Sequence, residues 1–173
     1  VSMMKVDAGP TGHANIQVTP KGDNSIVLFG GANRTITQSD VDEALEDAKS
    51  GEFLLLQNEI SCLDYLIDRA CERKMRVVFN AAPMSSDVNA LPLEAIELLV
   101  INEIEGFELT NTTAPDDIIA ILSSRFTFTN ILLTLGAAGS IYAGRDASVF
   151  QPALNVDAID TTAAGDTLSL IHI

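Results

Sequence analysis

Residues 53–79 read FLLLQNEISCLDYLIDRACERKMRVVF, and their pattern decides the fold. Phe53 to Leu56 is an unbroken apolar run of strand length. Leu63, Leu66, Ile67, Ala70 and Cys71 then recur at helical spacing, and Val77 to Phe79 returns to a strand. A strand, a helix and a second strand make a crossover unit, which joins parallel strands. The alternation continues with a short helix near Leu93 to Glu97, a strand at Leu98 to Ile101, a helix from Asp116 to Ser124 and a strand at Ile131 to Thr134. Four apolar runs separated by helices predict a mostly parallel sheet with both faces covered, a three-layer α/β/α domain. Beyond Gly136 the spacing shortens, so Ser140 to Ala143 and Ala147 to Phe150 read as antiparallel strands at the sheet edge. Upstream, Ala14 to Val18 and Ser25 to Phe29 flank a turn-rich stretch and read as a hairpin. Between hairpin and sheet, Val41, Ala44, Leu45 and Ala48 make an amphipathic helix with Ser39 as cap, Asp42 three residues on and Gly51 as its stop.

The composition bounds the function. The chain has 173 residues, 47% hydrophobic and 20% charged, which suits one globular domain of about 150 residues or more. Ten Lys and Arg against 24 Asp and Glu give a net charge of −14, which repels polyanions, so no nucleic-acid partner is expected. No run of roughly 18 apolar residues offers a bilayer span, and no membrane partner is expected. The start, ValSerMetMetLysValAspAlaGly, lacks the apolar stretch of a secretory signal and does not read as a natural beginning. Cys62 and Cys71 lie on what reads as one helix; buried thiols in a reducing cytosol are expected, with the protein cytoplasmic. Asn33-Arg-Thr35 and Asn111-Thr-Thr113 match the glycosylation acceptor, without consequence in a protein that is not exported.

In an open parallel sheet, ligands bind beyond the carboxyl ends of the strands. Polar residues follow every predicted strand: Gln57-Asn58-Glu59, Asn80, Asn102-Glu103-Ile104-Glu105, and Thr134-Leu-Gly136. Singly, Asn and Thr also cap helices; it is the repetition that marks a cleft. The most informative segment is Asp160-Thr-Thr-Ala-Ala-Gly-Asp166. Its small residues let a ligand approach the backbone, and amides at a helix start hold an anion. A carboxylate there opposes an anion unless it takes a proton from an attacking hydroxyl; the plainer alternative is a capping Asp. No GxxxxGK[ST] and no GxGxxG after a strand is present. His13, in a turn before the first strand, and His172 are too few for a histidine metal site.

Read together, ProThrGlyHisAlaAsnIle (10–16), AsnSerIleVal (24–27) with GlyAlaAsn (31–33), LeuLeuGlnAsnGluIle (55–60), AsnAlaAlaPro (80–83), AsnGluIleGluGly (102–106), ThrLeuGlyAlaAlaGly (134–139) and AspThrThrAlaAlaGlyAsp (160–166) resemble the ribokinase-like (pfkB) carbohydrate kinases, in that family's order. The resemblance implies ATP-dependent phosphorylation of a free sugar, with D-ribose going to D-ribose 5-phosphate. It implies that Asp166 is the catalytic base, also touching the sugar, and that the amides of Ala164, Gly165 and Asp166 form an anion hole. Asn102, Thr134 and Gly136 would meet the nucleotide, Glu105 would hold Mg2+ through water, Asp160 and Thr162 would hold a monovalent cation such as K+, and Glu59 would accept a sugar hydroxyl. Residues 1–34 would be part of a small β lid through which the full protein pairs as a homodimer, and 35–167 the α/β core.

The departures are specific. Ala163 stands where the family usually has glycine. The family's first strand with a sugar-binding Asp, its GlyGlyLysGlyXAsn segment and its adenine enclosure have no counterpart here. LeuSerLeuIleHisIle (168–173) resembles a translated sequencing adapter rather than the family's continuation, so those residues are expected to be non-native and the chain an internal fragment, inactive as given. Another acceptor, fructose or a deoxyketo acid of the 2-keto-3-deoxygluconate type, and a sugar or nucleotide sensor without turnover, remain as alternatives.

Overall fold

The computed structural model describes residues 9–18, 24–156 and 164–171. β1 (His13–Val18) and β2 (Asn24–Phe29) pair antiparallel in a two-stranded sheet of their own, from His13 opposite Phe29 to Val18 opposite Asn24. His13 therefore opens a strand, with its ring 5.0 Å from that of Phe29. Where the hairpin joins the rest, its two legs cross closely: the Ala32 amide donates to the Pro10 carbonyl at 2.9 Å. Gly31 has φ +51, and a Cβ there would lie 2.3 Å from that same carbonyl oxygen, so the crossing demands glycine.

α1 (Gln38–Ala44) follows, and its cap differs from the expected one. Thr37 and Ser39 each precede an acid by three residues, so the sequence offers two equivalent capping boxes. The structure uses Thr37 with Asp40: the Thr37 amide donates to Asp40 Oδ2 at 2.7 Å, and the Asp40 amide donates to Thr37 Oγ1. Asp42 is committed elsewhere, accepting from Tyr65 Oη and Arg69 Nε at 3.0 Å each and tying α1 to the next helix. Thr37→Ala should lower the unfolding free energy by about 0.5–2 kcal/mol, read as an earlier urea midpoint, whereas Ser39→Ala should leave it nearly unchanged.

The second sheet has β3 (Phe53–Gln57), β4 (Arg76–Asn80), β5 (Leu98–Asn102), β6 (Asn130–Thr134), β7 (Gly139–Ala143) and β8 (Ser148–Pro152) in that spatial order. The first four are parallel; β7 and β8 are antiparallel, at the edge predicted for them. The connecting helices are α2 (Leu63–Glu72), α3 (Glu103–Thr110) and α4 (Pro115–Arg125), and α5 (Ala164–Ile171) closes the described chain. The expected mixed α/β sheet flanked by helices is thus what forms.

Consecutive order has a geometric consequence. Right-handed crossovers that all step in one direction put their helices on one face of the sheet. On that face Val77, Phe79, Leu99, Ile101, Ile131 and Leu133 pack against Leu66 and Ile67 of α2 and Ile118 and Leu122 of α4, all buried. The intervening residues, Val78, Leu98 and Val100, form a smaller buried cluster on the opposite face with Phe53, Leu55 and Leu132.

Three further expectations need correction. The helix near Leu93 to Glu97 is a single 3-10 turn, Leu93–Ala95, preceded by another at Ser86–Ala90. The sequence pattern does not announce α3, because Gly106 interrupts its helical periodicity. That glycine is a packing device: a Cβ there would sit 3.0 Å from Ile118, so its absence lets α3 approach α4. Finally, Cys62 lies just outside α2 in a left-handed conformation, and both cysteines are half-buried free thiols rather than buried ones.

Candidate functional site

Strand alternation assembles the polar row. Gln57 follows Leu55 by two residues, Asn80 follows Val78, Asn102 follows Val100 and Thr134 follows Leu132, so all four lie on the face opposite α2 and α4. Register brings them level: Gln57 stands opposite Asn80, and Asn102 opposite Thr134. The sheet thus ends in a line of amides and a hydroxyl at the carboxyl termini of its parallel strands.

α5 is laid against this line. Gln57 Nε2 donates to Asp166 Oδ1 at 2.6 Å, and Asn80 Nδ2 donates to Ser169 Oγ at 3.2 Å, one helical turn further on. Asp166 is exposed in the first turn, while Ser169 is buried. Ala164 and Gly165 open the helix, where backbone amides have no intrahelical acceptor.

Three hollows adjoin one another. The first, about 310 Å³, lies between hairpin and core and is bordered by His13, Phe29, Asn33, Arg34 and Glu59. A second, about 350 Å³, shares Asn33 and Glu59 with it and adds Gln57 and Asp166. The third, about 190 Å³, shares Asp166 with the second and is walled by Asn80, Asn102, Glu105, Thr134, Ala164 and Gly165. Asp166 therefore stands between a space reached from the hairpin and a space at the helix start. Arg34 fixes Glu59 from behind, donating to the carbonyls of Asn58 at 3.0 Å and Ile60 at 3.3 Å on either side of it.

Asn102 and Glu105 have a structural task as well. Glu105 Oε2 accepts from the Asn102 amide at 2.8 Å, and Asn102 Oδ1 accepts from the Glu105 amide at 2.9 Å, a capping box that starts α3. Glu105 is only 5% exposed, and burial pushes its carboxyl above the ordinary value, with the Asn102 amide opposing the rise. The stability consequence has a definite sign. Between the ordinary 4.5 and the raised native value, the unfolded chain has lost this proton while the folded chain keeps it, so stability falls as pH rises through that window. The loss is absent below 4.5 and complete above the native value. Glu105→Gln, which retains an acceptor for the Asn102 amide, should flatten that slope. Urea midpoints of both proteins across the acid-to-neutral range check it, and identical slopes would reject it.

The expected site residues fall out unevenly. Asp166, Ala164, Gly165, Asn102, Glu105, Thr134 and Glu59 are brought to the connected hollows. Gly136 is not: it sits at φ +53 in the turn after β6, outside the third hollow's walls. Asp160, Thr162 and His172 lie outside the described residues. Among the described residues no cluster of three His, Cys, Asp or Glu is placed to cage a metal. With two carboxylates on its walls, Glu105 and Asp166, the third hollow fits only a hydrated Mg2+ whose other ligands are water and substrate phosphates. No helix among the described residues is long and apolar enough to cross a membrane. The sequence places Gln57 at the cleft without giving it a role, and it gives no site role to Asn33. The parity that Gln57 shares with Asn80 and Asn102 was the available signal for the first.

Known proteins resemble this chain in sequence and in fold. The model of the pfkB family carbohydrate kinases matches residues 1–169. The chain is 34% identical over 172 residues to the ribokinase of Staphylococcus aureus (strain COL), covering 95% of this chain and 56% of that protein. It is 32% identical over 168 residues to the deoxyribokinase of Salmonella typhi, covering 94% and 55% respectively. The solved structure of Arabidopsis thaliana ribokinase complexed with ribose and ATP superposes with a TM-score of 0.75 at 27% identity, covering 93% of this chain and 55% of that one. The chain spans about half the length of the curated relatives it matches.

Proposed function

Since the chain belongs to the pfkB family of carbohydrate kinases, we propose that it forms part of an enzyme that transfers the terminal phosphoryl group of ATP to the primary hydroxyl of D-ribose, giving D-ribose 5-phosphate and ADP. The observation that carries the reading is the position of Asp166, on the common wall of the second and third hollows. A sugar held in the second hollow by Glu59 would present its hydroxyl to the Asp166 carboxylate. A nucleotide in the third would meet Asn102 and Thr134 and point its terminal phosphate at the start of α5.

In this reading Asp166 accepts the hydroxyl proton as the new oxygen–phosphorus bond forms and the bond to ADP breaks. The amides of Ala164, Gly165 and Asp166 stabilise the charge on the moving phosphoryl group, aided by the positive end of the helix. Mg2+, when bound, neutralises phosphate charge, and Glu105 would hold it through water. This arrangement explains how a chain of net charge −14 handles a polyanionic substrate without a basic patch. Asp160 and Thr162 are assigned to a K+ site on the family resemblance alone. The hairpin would serve as a lid, excluding water, and its exposed Ile16, Ile26 and Val27 would be covered in a lid-to-lid homodimer in the cytosol.

A second acceptor, 2-deoxyribose, is favoured by the near-equal similarity to the Salmonella typhi deoxyribokinase. The experiment is an ATP-consumption assay on the longest reading frame carrying these residues, with ribose, 2-deoxyribose and fructose as acceptors. The highest kcat/KM is expected with ribose. A folded protein that phosphorylates no sugar would overturn the proposal, and preference for 2-deoxyribose would transfer it to the second acceptor.

A further inference from the structure

We propose that Gln57 is a positioning residue for Asp166, holding one carboxylate oxygen so that the other faces the acceptor hydroxyl; this rests on the reading of Asp166 as the base.

The side chains of the first turn of α5 are lightly packed, although the Gly165 carbonyl accepts from Ser169 Oγ at 3.0 Å. Ala164, Gly165, Asp166 and Thr167 are all exposed, and nothing lies within 4 Å of where a Gly165 Cβ would be. Packing therefore does not fix the Asp166 side chain, whose terminal torsion is intrinsically broad. Among the described residues, the hydrogen bond to its carboxylate comes from Gln57, 109 residues away, at the end of a strand locked in register with β4. A rigid strand thereby sets the plane of a carboxylate on a lightly packed helix.

The chemistry of the partner suits the task. A primary amide donates a hydrogen bond yet neither yields nor takes a proton near neutral pH, so it cannot compete for the proton that Asp166 removes. It carries no charge that would neutralise the base. With Gln57 Nε2 on Oδ1 at 2.6 Å, Oδ2 is the oxygen left to receive the alcohol proton. This hydrogen bond acts on the reacting group, whereas the one from Asn80 to Ser169 acts on the helix behind it.

The test uses the longest reading frame that carries these residues, with ribose, ATP and Mg2+. Gln57→Met keeps the shape and removes the donor, and should lower kcat roughly 10- to 100-fold while KM for ATP stays within about twofold. Gln57→Glu keeps the shape and sets a second carboxylate against Asp166, and should lower kcat further. In an Asp166→Asn background, where no base remains to be oriented, Gln57→Met should change the residual rate by less than about twofold. Wild-type kcat in Gln57→Met overturns the inference, as does an undiminished loss in the Asp166→Asn background, which would mean that Gln57 only supports the fold. If the Met variant does not melt cooperatively, the Glu variant carries the same comparison. Asp166→Asn that turns over normally would instead remove Asp166 as the base, and the two failures are thereby told apart.

Discussion

Asp166→Asn should reduce turnover by about 10²- to 10⁴-fold while sugar and nucleotide still bind. Asparagine has nearly the same shape as aspartate and keeps a carbonyl oxygen where Asp166 Oδ1 now accepts from Gln57 Nε2. The first turn of α5 and the amides of Ala164, Gly165 and residue 166 would persist, so the proposed anion-binding half of the site should survive. What is lost is the capacity to take a proton, because an amide oxygen is far too weak a base. The expected pattern is a fall in kcat with little change in the calorimetric affinity for ADP. Parallel collapse of affinity and rate would instead show that the charge of Asp166 organises the cleft. An unchanged rate would remove the proposed base altogether.

Phe79→Ala should lower the unfolding free energy by about 3–5 kcal/mol, the usual cost of emptying a buried aromatic site. Phe79 is fully buried at 0% exposure in β4, one strand in from the β3 edge, level with Leu56 of β3 on one side and Leu99 of β5 on the other. It faces the helix-covered side, where close packing leaves few ways to refill the space. Urea denaturation checks the value, with Val149→Ala as the control: Val149 is 53% exposed on the edge strand and should change stability by no more than about 0.5 kcal/mol. A Phe79→Ala loss as small as that control would mean that the sheet collapses around the missing ring.

Much of this architecture was legible because it rests on local patterns. The apolar runs at Phe53, Val77, Leu98 and Ile131 could only be buried strands, and the polar residue after each could be counted along the chain. The misreadings share a different origin: a local signal was real and tertiary structure chose its use. Thr37 and Ser39 were equally good caps until Tyr65 and Arg69 claimed Asp42. The family resemblance assigns Asn102 and Glu105 to ligand binding, and their spacing also starts a helix that Gly106 hid from the periodicity. Gln57 meets Asp166 only through the fold, across 109 positions, and no window of sequence holds both.

The one-directional strand order separates two kinds of evolutionary constraint. Side chains that fill the helix-covered interior occupy one parity of each strand, and those that end in the polar row occupy the other. A substitution at 57 or 134 therefore changes the cleft wall without opening a void beneath α2 and α4, whereas one at 102 also takes the cap from α3 and one at 80 unties α5 from the sheet. The cleft wall of such a sheet can vary at its uncommitted positions while the helix-covered interior is left intact.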